Sequence, residues 1–501
     1  MRAVRALLVG LCLPMMTAAA PPPAPPAHGL TDVALLDRLT WGATEADLAR
    51  LRAMGRERWL EWQLHPTEAD RLPPAAQARI DALPISQAPM ADLLVAALLR
   101  ERAIREETDA TQQQTDRRAN QQALSGLGRQ AATREVLRDL YSPAQLREVM
   151  TWFWFNHFNV YQFKANVRAM VGDYEERAIR PHALGRFRDL LAATLRHPAM
   201  LRYLDDAANV AGRINENYAR EIMELHTMGV GSGYTQHDVE ELARCLTGLT
   251  IDPRPSNPRW LGSQLVRDGL FEFNPARHDY GDKVFLGHVI KGSGLAEADE
   301  VIDILARQPA TAHHIAAELA TFFVADTPPP GLVDRLARSF LATDGDIGAV
   351  LGVLFHSPEF AASPGRFKDP MHYVLSAVRL AYGERVILNA QPILFWLNRM
   401  GEGLYNHQTP DGYPLRSDAW NAPGQLEVRF EIARRIGYGP AGLFKDPEGG
   451  VVDLPAFPRL QNVYFQDLQP TLGPATLAAL EQATSPQEWN FLFLSSPEFM
   501  F

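Results

Sequence analysis

Three polar side chains in the segment 214–226 can share one face of a helix. Asn217, Glu221 and Glu224 stand at positions i, i+4 and i+7, and this spacing puts them on the same side of an α-helix. Two neighbouring carboxylates can share a proton, hold a metal ion or bind a polar substrate. Arg220, one turn before Glu224, adds a cation. The alternative is a solvated helix face on which Arg220 and Glu224 form an ion pair.

Two histidines with their neighbours are further candidates. His157 stands on an apolar helix face, where a histidine is often a hydrogen-bonded core residue. His278 and Asp279 lie in a predicted loop between strands, followed by Lys283, and loops of this kind commonly present functional groups. The alternative for the loop is a surface turn in which the aspartate accepts hydrogen bonds from backbone amides.

No complete catalytic signature accompanies these residues. The run Gly231-Ser232-Gly233 follows a helix rather than a strand, so it does not fit the nucleophile elbow of a hydrolase. The chain contains no His-Glu-x-x-His pattern, and Cys245 falls within an amphipathic helix, where packing is its expected role. The candidate residues alone therefore do not define a reaction.

The elements that must position these residues are predicted to be helices along almost the whole chain. Proline and glycine recur as helix starts and stops, and the Ser-Pro pair at 142–143 begins a helix that covers 146–158. Only two short runs, 270–273 and 283–286, have the pattern of strands, and they flank a turn. The predicted fold is all-α, a large multi-helical domain with one small β-hairpin insertion near 270–287.

Four regions are predicted along the chain. Residues 1–20 are a signal peptide, and residues 21–29 are a Pro/Ala-rich linker. Residues 30–501 form the helical domain, as one body or two lobes. Within it a polar stretch near 100–140, rich in glutamine and charge, is predicted to be a protruding helical hairpin or a partly disordered insert.

The first residues have the three-part plan of a secretory signal peptide. Arg2 and Arg5 precede an apolar run over 6–20 that ends in small residues. The run is too short to remain as a membrane-spanning helix, so we expect a periplasmic or secreted protein. Cleavage removes Cys12 and leaves Cys245 as the sole cysteine, so no intrachain disulfide can form.

Charge excludes some classes of partner. The chain has 49 Lys and Arg residues against 59 Asp and Glu residues, a formal net charge of −10. An acidic chain without a basic cluster is not expected to bind nucleic acid or anionic membrane surfaces. No later apolar run reaches the length of a transmembrane helix, so no transmembrane segment is expected after signal cleavage.

Several polar signatures together resemble a bacterial family, the "domain of unknown function 1800" family, over most of residues 30–501. The resemblance implies an exported, mainly helical protein, and such proteins are often encoded beside a second exported protein of sulfatase-like type. His226 stands where the family pattern has an aromatic residue, so neither His226 nor Cys245 is counted as a site residue. The segments that carry the resemblance are Trp154-Phe155-Asn156-His157-Phe158, Glu216-Asn217-Tyr218-Ala219-Arg220-Glu221 with Glu224, Gly233-Tyr234-Thr235-Gln236-His237-Asp238-Val239, Arg244 with Thr247-Gly248, His278-Asp279-Tyr280-Gly281-Asp282-Lys283 with Leu286-Gly287, and Ser496-Pro497-Glu498-Phe499.

Three functions remain open at this point. The first is an envelope or extracellular hydrolase or lyase that acts on a polar polymer through paired carboxylates. The second is an enzyme that depends on a divalent metal such as zinc, iron or manganese, held by Glu221, Glu224, His157 and His278. The third is a non-catalytic partner or scaffold of the sulfatase-like protein. Under the first function the catalytic candidates are Glu221, Glu224, His157, His278 and Asp279, and the substrate-binding candidates are Asn217, Arg220 and Lys283.

Export is directly testable. If residues 1–20 act as a signal peptide, N-terminal sequencing of the mature protein is expected to begin at Ala20 or Pro21. Recovery of intact Met1 on protein taken from the cell envelope would contradict the prediction.

Overall fold

A computed structural model describes residues 30–66, 71–253, 264–383, 385–445, 455, 457–462 and 465–501. The predicted signal peptide and Pro/Ala-rich linker, residues 1–29, lie outside the described residues.

Helices form most of the described chain, which confirms the predicted fold class. Many begin at a side-chain cap or with proline in the first turn, the punctuation that the sequence shows. The α-helices are α1 Asp32–Leu39, α2 Glu45–Met54, α3 Arg56–Leu64, α4 Pro74–Asp81, α5 Pro84–Gln87, α6 Met90–Glu106, α7 Ala110–Tyr141, α8 Gln145–His157, α9 Val171–Asp173, α10 Phe187–Arg196, α11 Pro198–Tyr203, α12 Glu216–Glu221, α13 Gln236–Cys245, α14 Leu295–Ala306, α15 Pro309–Phe323, α16 Pro330–Ala342, α17 Ile347–Phe355, α18 Pro358–Ala362, α19 Pro370–Tyr382, α20 Gln391–Arg399, α21 Pro423–Tyr438, α22 Phe465–Leu468, α23 Pro474–Glu481 and α24 Pro486–Leu494.

Two of these helices continue as π-helical turns. Helix α9 runs on into Tyr174–Ile179, and α12 runs on into Ile222–His226. The second turn corrects the sequence interpretation, because an i, i+4, i+7 face requires unbroken α-helix, whereas the α-helical hydrogen bonding ends at Glu221. A π-turn adds a residue to the turn and changes which carbonyls stay unpaired at the helix end. Short 3₁₀ turns occupy Val167–Ala169, Arg180–His182, Asp206–Ala208, Pro275–Arg277, Ser417–Ala419, Leu460–Asn462, Gln469–Thr471 and Glu498–Met500.

Five short strands form two small antiparallel sheets. Strands β1 Leu249–Ile251, β2 Val266–Asp268 and β3 Phe271–Phe273 lie in the order β1-β3-β2, and β4 Lys283–Phe285 pairs with β5 His288–Ile290. Both predicted runs are strands, but the prediction that they pair with each other is wrong. Each run finds a closer partner across a tight turn, which costs less loop entropy than closure across 274–281.

One contiguous apolar core joins the helices. The side chains of Trp41, Trp59 and Trp154 are fully buried within it. Helices α15, α16 and α17 pack in sequence, and α21 packs against α19 and α24. None of the helices in the described residues combines the length and the apolar character needed to span a membrane.

The polar stretch near 100–140 is a helical hairpin made of α6 and α7. The side chain of Gln113 donates to the carbonyl of Ile104 at 3.0 Å, and that of Arg100 donates to Asn120 at 3.0 Å. The second half of α7 is buried in the body of the protein. The hairpin therefore joins the core at one end while its polar turn is exposed.

Candidate functional site

Residues 403–415, here called the clamped loop, pack against the C-terminal end of α8. Asn156 fixes the loop with two hydrogen bonds, donating to the carbonyl of Tyr413 at 2.9 Å and accepting its N–H at 2.6 Å. Gly412 has φ of +69°, and a Cβ there would come within 2.2 Å of the Asn156 carbonyl oxygen. Only glycine fits this close approach without strain.

A second asparagine, Asn159, holds the other part of the clamped loop. Asn159 donates to the carbonyls of His407 and Thr409 at 3.1 and 2.7 Å. The hydroxyl of Tyr203, at the end of α11, donates to the carbonyl of Gln408 at 2.8 Å. The polar residues around His157 therefore act first as anchors for the loop that faces it.

His157 itself lies between a carboxylate and a backbone carbonyl. Its Nδ1 is 2.7 Å from Glu318 Oε2, and its Nε2 is 3.1 Å from the carbonyl oxygen of His226. A carbonyl only accepts hydrogen bonds, so Nε2 carries a proton and Nδ1 shares a proton with Glu318. The His157 side chain is 3% exposed and that of Glu318 is 27% exposed. The Glu318 side chain is thus partly exposed to solvent, while the imidazole to which it is hydrogen-bonded is buried.

Glu318 is held in its ionised form. Burial raises the pKa of its carboxyl, but the charge and hydrogen bond of His157, with the charge of His314, outweigh burial and lower the pKa below the usual value. His314, one turn earlier on α15, has its Nε2 3.7 Å from Glu318 Oε1. The same Nε2 lies 3.2 Å from the carbonyl of Leu225.

The π-helical turn that follows Glu221 supplies both of these carbonyls. Leu225 accepts from His314, and His226 accepts from His157. In a normal α-helix these two carbonyls would point along the helix axis. At the π-helical end they instead accept hydrogen bonds from two side chains of other helices. Residue 226 therefore contributes its backbone carbonyl to the candidate site, although the sequence analysis excluded it as a site residue.

The His226 ring is buried beside the two other histidines. Its centroid is 5.9 Å from that of His157, and its Nε2 has no hydrogen-bond partner among the described residues. Burial, then the neighbouring His157 and His314, push its pKa well below the usual value. The ring is therefore neutral and contributes no charge to the cluster.

A cavity of about 400 Å³ opens beside this cluster. His157 and Glu318 form one wall, and Asp411 and Tyr413 of the clamped loop form the facing wall. A cavity of this size with a few convergent polar groups is typical of a small-molecule or polymer subsite. Its lining consists of Phe153, Asn156, His157, Ala317, Glu318, Thr321, Asp411, Gly412, Tyr413, Pro414 and Leu415.

Glu221 does not line this cavity, but the charge of Asp411, which does, acts on it, and its pKa shift is opposite to that of Glu318. Partial burial, then the charges of Glu224 and Asp411, raise the pKa of Glu221, and Arg220 only partly offsets them. Arg220 is 3.4 Å from Glu224, with which it forms an ion pair. Because Asp411 lines the cavity and acts on Glu221, the two carboxylates belong to one electrostatic site.

The remaining polar residues of α12 face solvent or each other. Asn217 is exposed and its side chain donates to the carbonyl of Leu204 at 3.2 Å. Arg220 also pairs with Glu216 at 3.2 Å and donates to Gln236 at 2.7 Å. Arg220 is therefore neutralised by two carboxylates, as the ion-pair alternative anticipated in part.

His278 and Lys283 form a separate and fully buried cluster with Glu297. Nδ1 of His278 is 2.7 Å from the carbonyl of Thr247, and Nε2 is 2.8 Å from Glu297 Oε1. Lys283 Nζ is 2.5 Å from Glu297 Oε2 and also donates to the carbonyl of Asp279. All three side chains have no exposed surface. We call this group the buried brace.

Asp279 belongs to the rim of the buried brace. Its carboxylate accepts two hydrogen bonds from Arg244, at 2.9 and 3.2 Å. The guanidinium and a backbone amide lower its pKa to about 2 against the effect of burial. Glu241 shares Arg244 at 2.6 Å and accepts the N–H of Val284 at 2.7 Å. These contacts tie α13 to strand β4.

The structure does not bring all the sequence candidates together. Within the described ranges, no hydrogen bond or ion pair joins Glu221 or Glu224 to His278, Asp279 or Lys283. Within that part of the chain, no group of three or more His, Cys, Asp or Glu side chains is placed to hold a metal ion. The expected metal centre of Glu221, Glu224, His157 and His278 is therefore not formed, because each histidine already lies between a carbonyl and a carboxylate.

Three titratable residues in or beside the cavity were missed by the sequence analysis: Glu318 and Asp411, which line it, and His314, which lies beside Glu318. His314 and Glu318 stand at i and i+4 on α15, a spacing that could have marked them as neighbours on one helix face. Asp411 carries no such signal, because only the fold of the clamped loop brings it to the cavity.

The chain belongs to a family of unknown function. The family model described as "Protein of unknown function (DUF1800)" matches residues 34–501. No curated protein and no solved structure matches the chain.

The buried brace is expected to stabilise the fold. Lys283→Met leaves the buried Glu297 carboxylate without its cation, and loss of one partner of a buried ion pair costs about 3–5 kcal/mol. Urea denaturation should show this as a lower free energy of unfolding.

Lys291→Met is the matched control on the same hairpin, because Lys291 and Asp282 form an exposed pair at 2.5 Å. It should leave the unfolding midpoint close to that of the unchanged protein. Equal effects of the two changes would contradict the brace.

Proposed function

We propose that this chain is an exported hydrolase or lyase that acts on a polar polymer at the cavity between α15 and the clamped loop. The observation that carries the proposal is a pair of opposed pKa shifts on two carboxyl groups. The pKa is lowered for Glu318, which lines the cavity, and raised for Glu221, on which the cavity residue Asp411 acts. Acid–base enzymes separate two carboxyl groups in this way, so that one is protonated and the other ionised at the same pH.

The two carboxyl groups have distinct roles in this proposal. Glu221, whose pKa is raised, donates a proton to the leaving group as general acid. Glu318, whose pKa is lowered, acts as the base that activates water or removes a substrate proton, or it stabilises positive charge in the transition state. The partly exposed side chain of Glu318 and its place on the cavity wall support this role.

The histidines are positioning residues in this scheme. Both ring nitrogens of His157 are occupied, one by Glu318 and one by the His226 carbonyl, so the imidazole orients the carboxylate rather than contacting substrate. Asp411 lines the same cavity as Glu318 and raises the pKa of Glu221. It is the residue through which Glu221 is connected to the cavity.

Three residues of the clamped loop, Asp411, Tyr413 and Leu415, line the cavity, so they offer a bound chain molecule a carboxylate, an aromatic ring and an aliphatic group. Anchoring of the loop by Asn156 and Asn159 keeps this wall in place. Preorganised walls of this kind reduce the entropy lost when substrate binds.

A non-catalytic role as partner of a sulfatase-like protein is the second candidate. The buried brace supports it for one part of the molecule, since His278, Asp279 and Lys283 have their polar atoms satisfied by protein partners. In the hydrolase or lyase proposed first, those three residues are likewise structural, and the catalytic function lies at the cavity alone.

Glu221→Gln tests the general acid. The amide is nearly isosteric but cannot donate the proton, so turnover should fall by roughly 10²–10⁴-fold with little change in melting temperature. The assay uses purified mature protein and a panel of neutral, amino-bearing and acidic polysaccharides. The release of reducing ends reports hydrolysis, and the ultraviolet absorbance of an unsaturated product reports cleavage by elimination, the lyase reaction.

The matched control is Glu216→Gln on the same helix, which removes a surface partner of Arg220 and should leave turnover within a few-fold. Equal loss in both variants, or full activity in Glu221→Gln, would count against the assignment.

The pH profile should follow from the two shifts. Activity requires Glu221 protonated and Glu318 ionised, so it falls as pH rises through the raised pKa of Glu221 and falls as pH drops through the lowered pKa of Glu318. The value of kcat/KM should therefore increase as the pH is lowered from 8 to mildly acidic values. A profile that rises steadily toward alkaline pH would rule out Glu221 as the acid.

A further inference from the structure

A second cavity, of about 410 Å³, lies between the α6–α7 hairpin and residues 167–177. It shares no lining residue with the cavity beside Glu318. Apolar side chains from α6 and α7 form one side, and arginines from α7 and the 167–177 segment form the other. We call it the arginine pocket.

Arg168 lines the arginine pocket without a carboxylate partner. The residue is 6% exposed, and its two Nη atoms donate to neutral oxygens, Ser125 Oγ at 3.0 Å and Gln121 Oε1 at 2.6 Å. Its Nε has no partner among the described residues. The guanidinium also lies over the ring of Phe163, 5.2 Å from the centroid. Its positive charge is thus oriented but not neutralised.

Two further guanidinium groups line the pocket and share a single carboxylate. Arg138 pairs with Glu176, and Arg134 Nε is 3.5 Å from the same carboxylate oxygen. Glu175 stands near Arg134, but burial raises its pKa, which favours the neutral carboxyl. Four guanidinium groups line the pocket, and Arg177 pairs with Asp173, so the other three have one ionised carboxylate among them, that of Glu176.

Other carboxylates near the arginine pocket are already engaged. Glu148, which acts on Arg138, is bound by Arg180 at 2.7 and 2.8 Å. Asp173 pairs with Arg177 at 3.1 Å at the rim. Asp81, also at the rim, is exposed and accepts from the side chain of Gln77 at 2.7 Å.

An unpaired buried charge is costly, and proteins normally pair such a group. Burial lowers the pKa of Arg168, as expected for a cation that lacks an anion. A guanidinium is nonetheless charged at every physiological pH, and its planar fork matches the two oxygens of a carboxylate or phosphate.

We propose that the arginine pocket binds a small oxyanion, a carboxylate or phosphate group, at Arg168 and Arg134. The facing wall includes Met90, Leu93 and Leu127, so the ligand also carries a short apolar arm. This site is independent of the proposed catalytic cavity.

Thermal unfolding of the purified mature protein tests the proposal with three probes: sodium phosphate, sodium acetate and sodium hexanoate, each against sodium chloride at equal ionic strength. A bound anion raises the melting temperature with its concentration. Each buried methylene strengthens binding about fourfold, so hexanoate should bind at least tenfold more tightly than acetate. A larger response to phosphate than to hexanoate would assign the oxyanion as phosphate, and the reverse would assign it as carboxylate.

Arg168→Gln is the decisive variant. It removes the unpaired charge, so the melting temperature in chloride should stay the same or rise, while the anion-dependent increase should disappear. Arg102→Gln is the matched control, because its exposed guanidinium pairs with Glu106 at 2.6 Å on α6 and does not line the pocket, and it should keep the increase. If Arg168→Gln does not fold, Arg168→Lys serves in its place and should weaken the response at least tenfold, since lysine lacks the planar fork. No response of the unchanged protein to any anion, or an unchanged response in the Arg168 variant, would overturn the proposal.

Discussion

The hydrogen-bonded chain from the His226 carbonyl through His157 to Glu318 is the interaction on which the candidate site depends. It begins at the π-helical end of the segment that carries Glu221 and ends at the Glu318 carboxylate, which lines the cavity. The two proposed catalytic groups are therefore linked by a continuous structural element rather than by direct contact. Because the carbonyl fixes the proton on Nε2, the second ring nitrogen is committed to Glu318, and the carboxylate remains ionised despite its partial burial.

The protein treats buried charge in three different ways. In the buried brace, Glu297 is paired with both Lys283 and His278. In the core near α7, Glu135 and Glu175 lie side by side, and burial raises the pKa of both, so they avoid charge instead of pairing it. At Arg168 the charge has only neutral partners. The first arrangement pairs the charge within the protein, the second favours the neutral carboxyl, and the third is completed by a ligand in our proposal.

Much of the fold could be predicted from the sequence because its signals are local. Helix caps such as Thr44 and Thr235 act within one turn. The raised pKa of Glu221 is caused first by burial, which the sequence does not show, and then by the like charge of Glu224, which the spacing does show. The partner of a strand is not a local property, so the pairing of 270–273 with 283–286 was predicted wrongly. Likewise, nothing near His157 in the sequence indicates Glu318, which is 161 positions away, or Asp411 in the clamped loop. The brace role of His278 depended on Glu297, whose own local signal is that of a helix cap.

The most direct test of the account is a measurement of the pKa values of Glu221 and Glu318 in the folded protein. Carbon-13 labelling of glutamate carboxyl groups, with each resonance assigned by its loss in Glu221→Gln or Glu318→Gln, gives both values from one NMR titration. The account predicts that Glu221 titrates above the ordinary glutamate range and Glu318 below it. Overlapping ordinary values, or shifts of the reverse sign, would contradict the assignment of acid and base at this cavity.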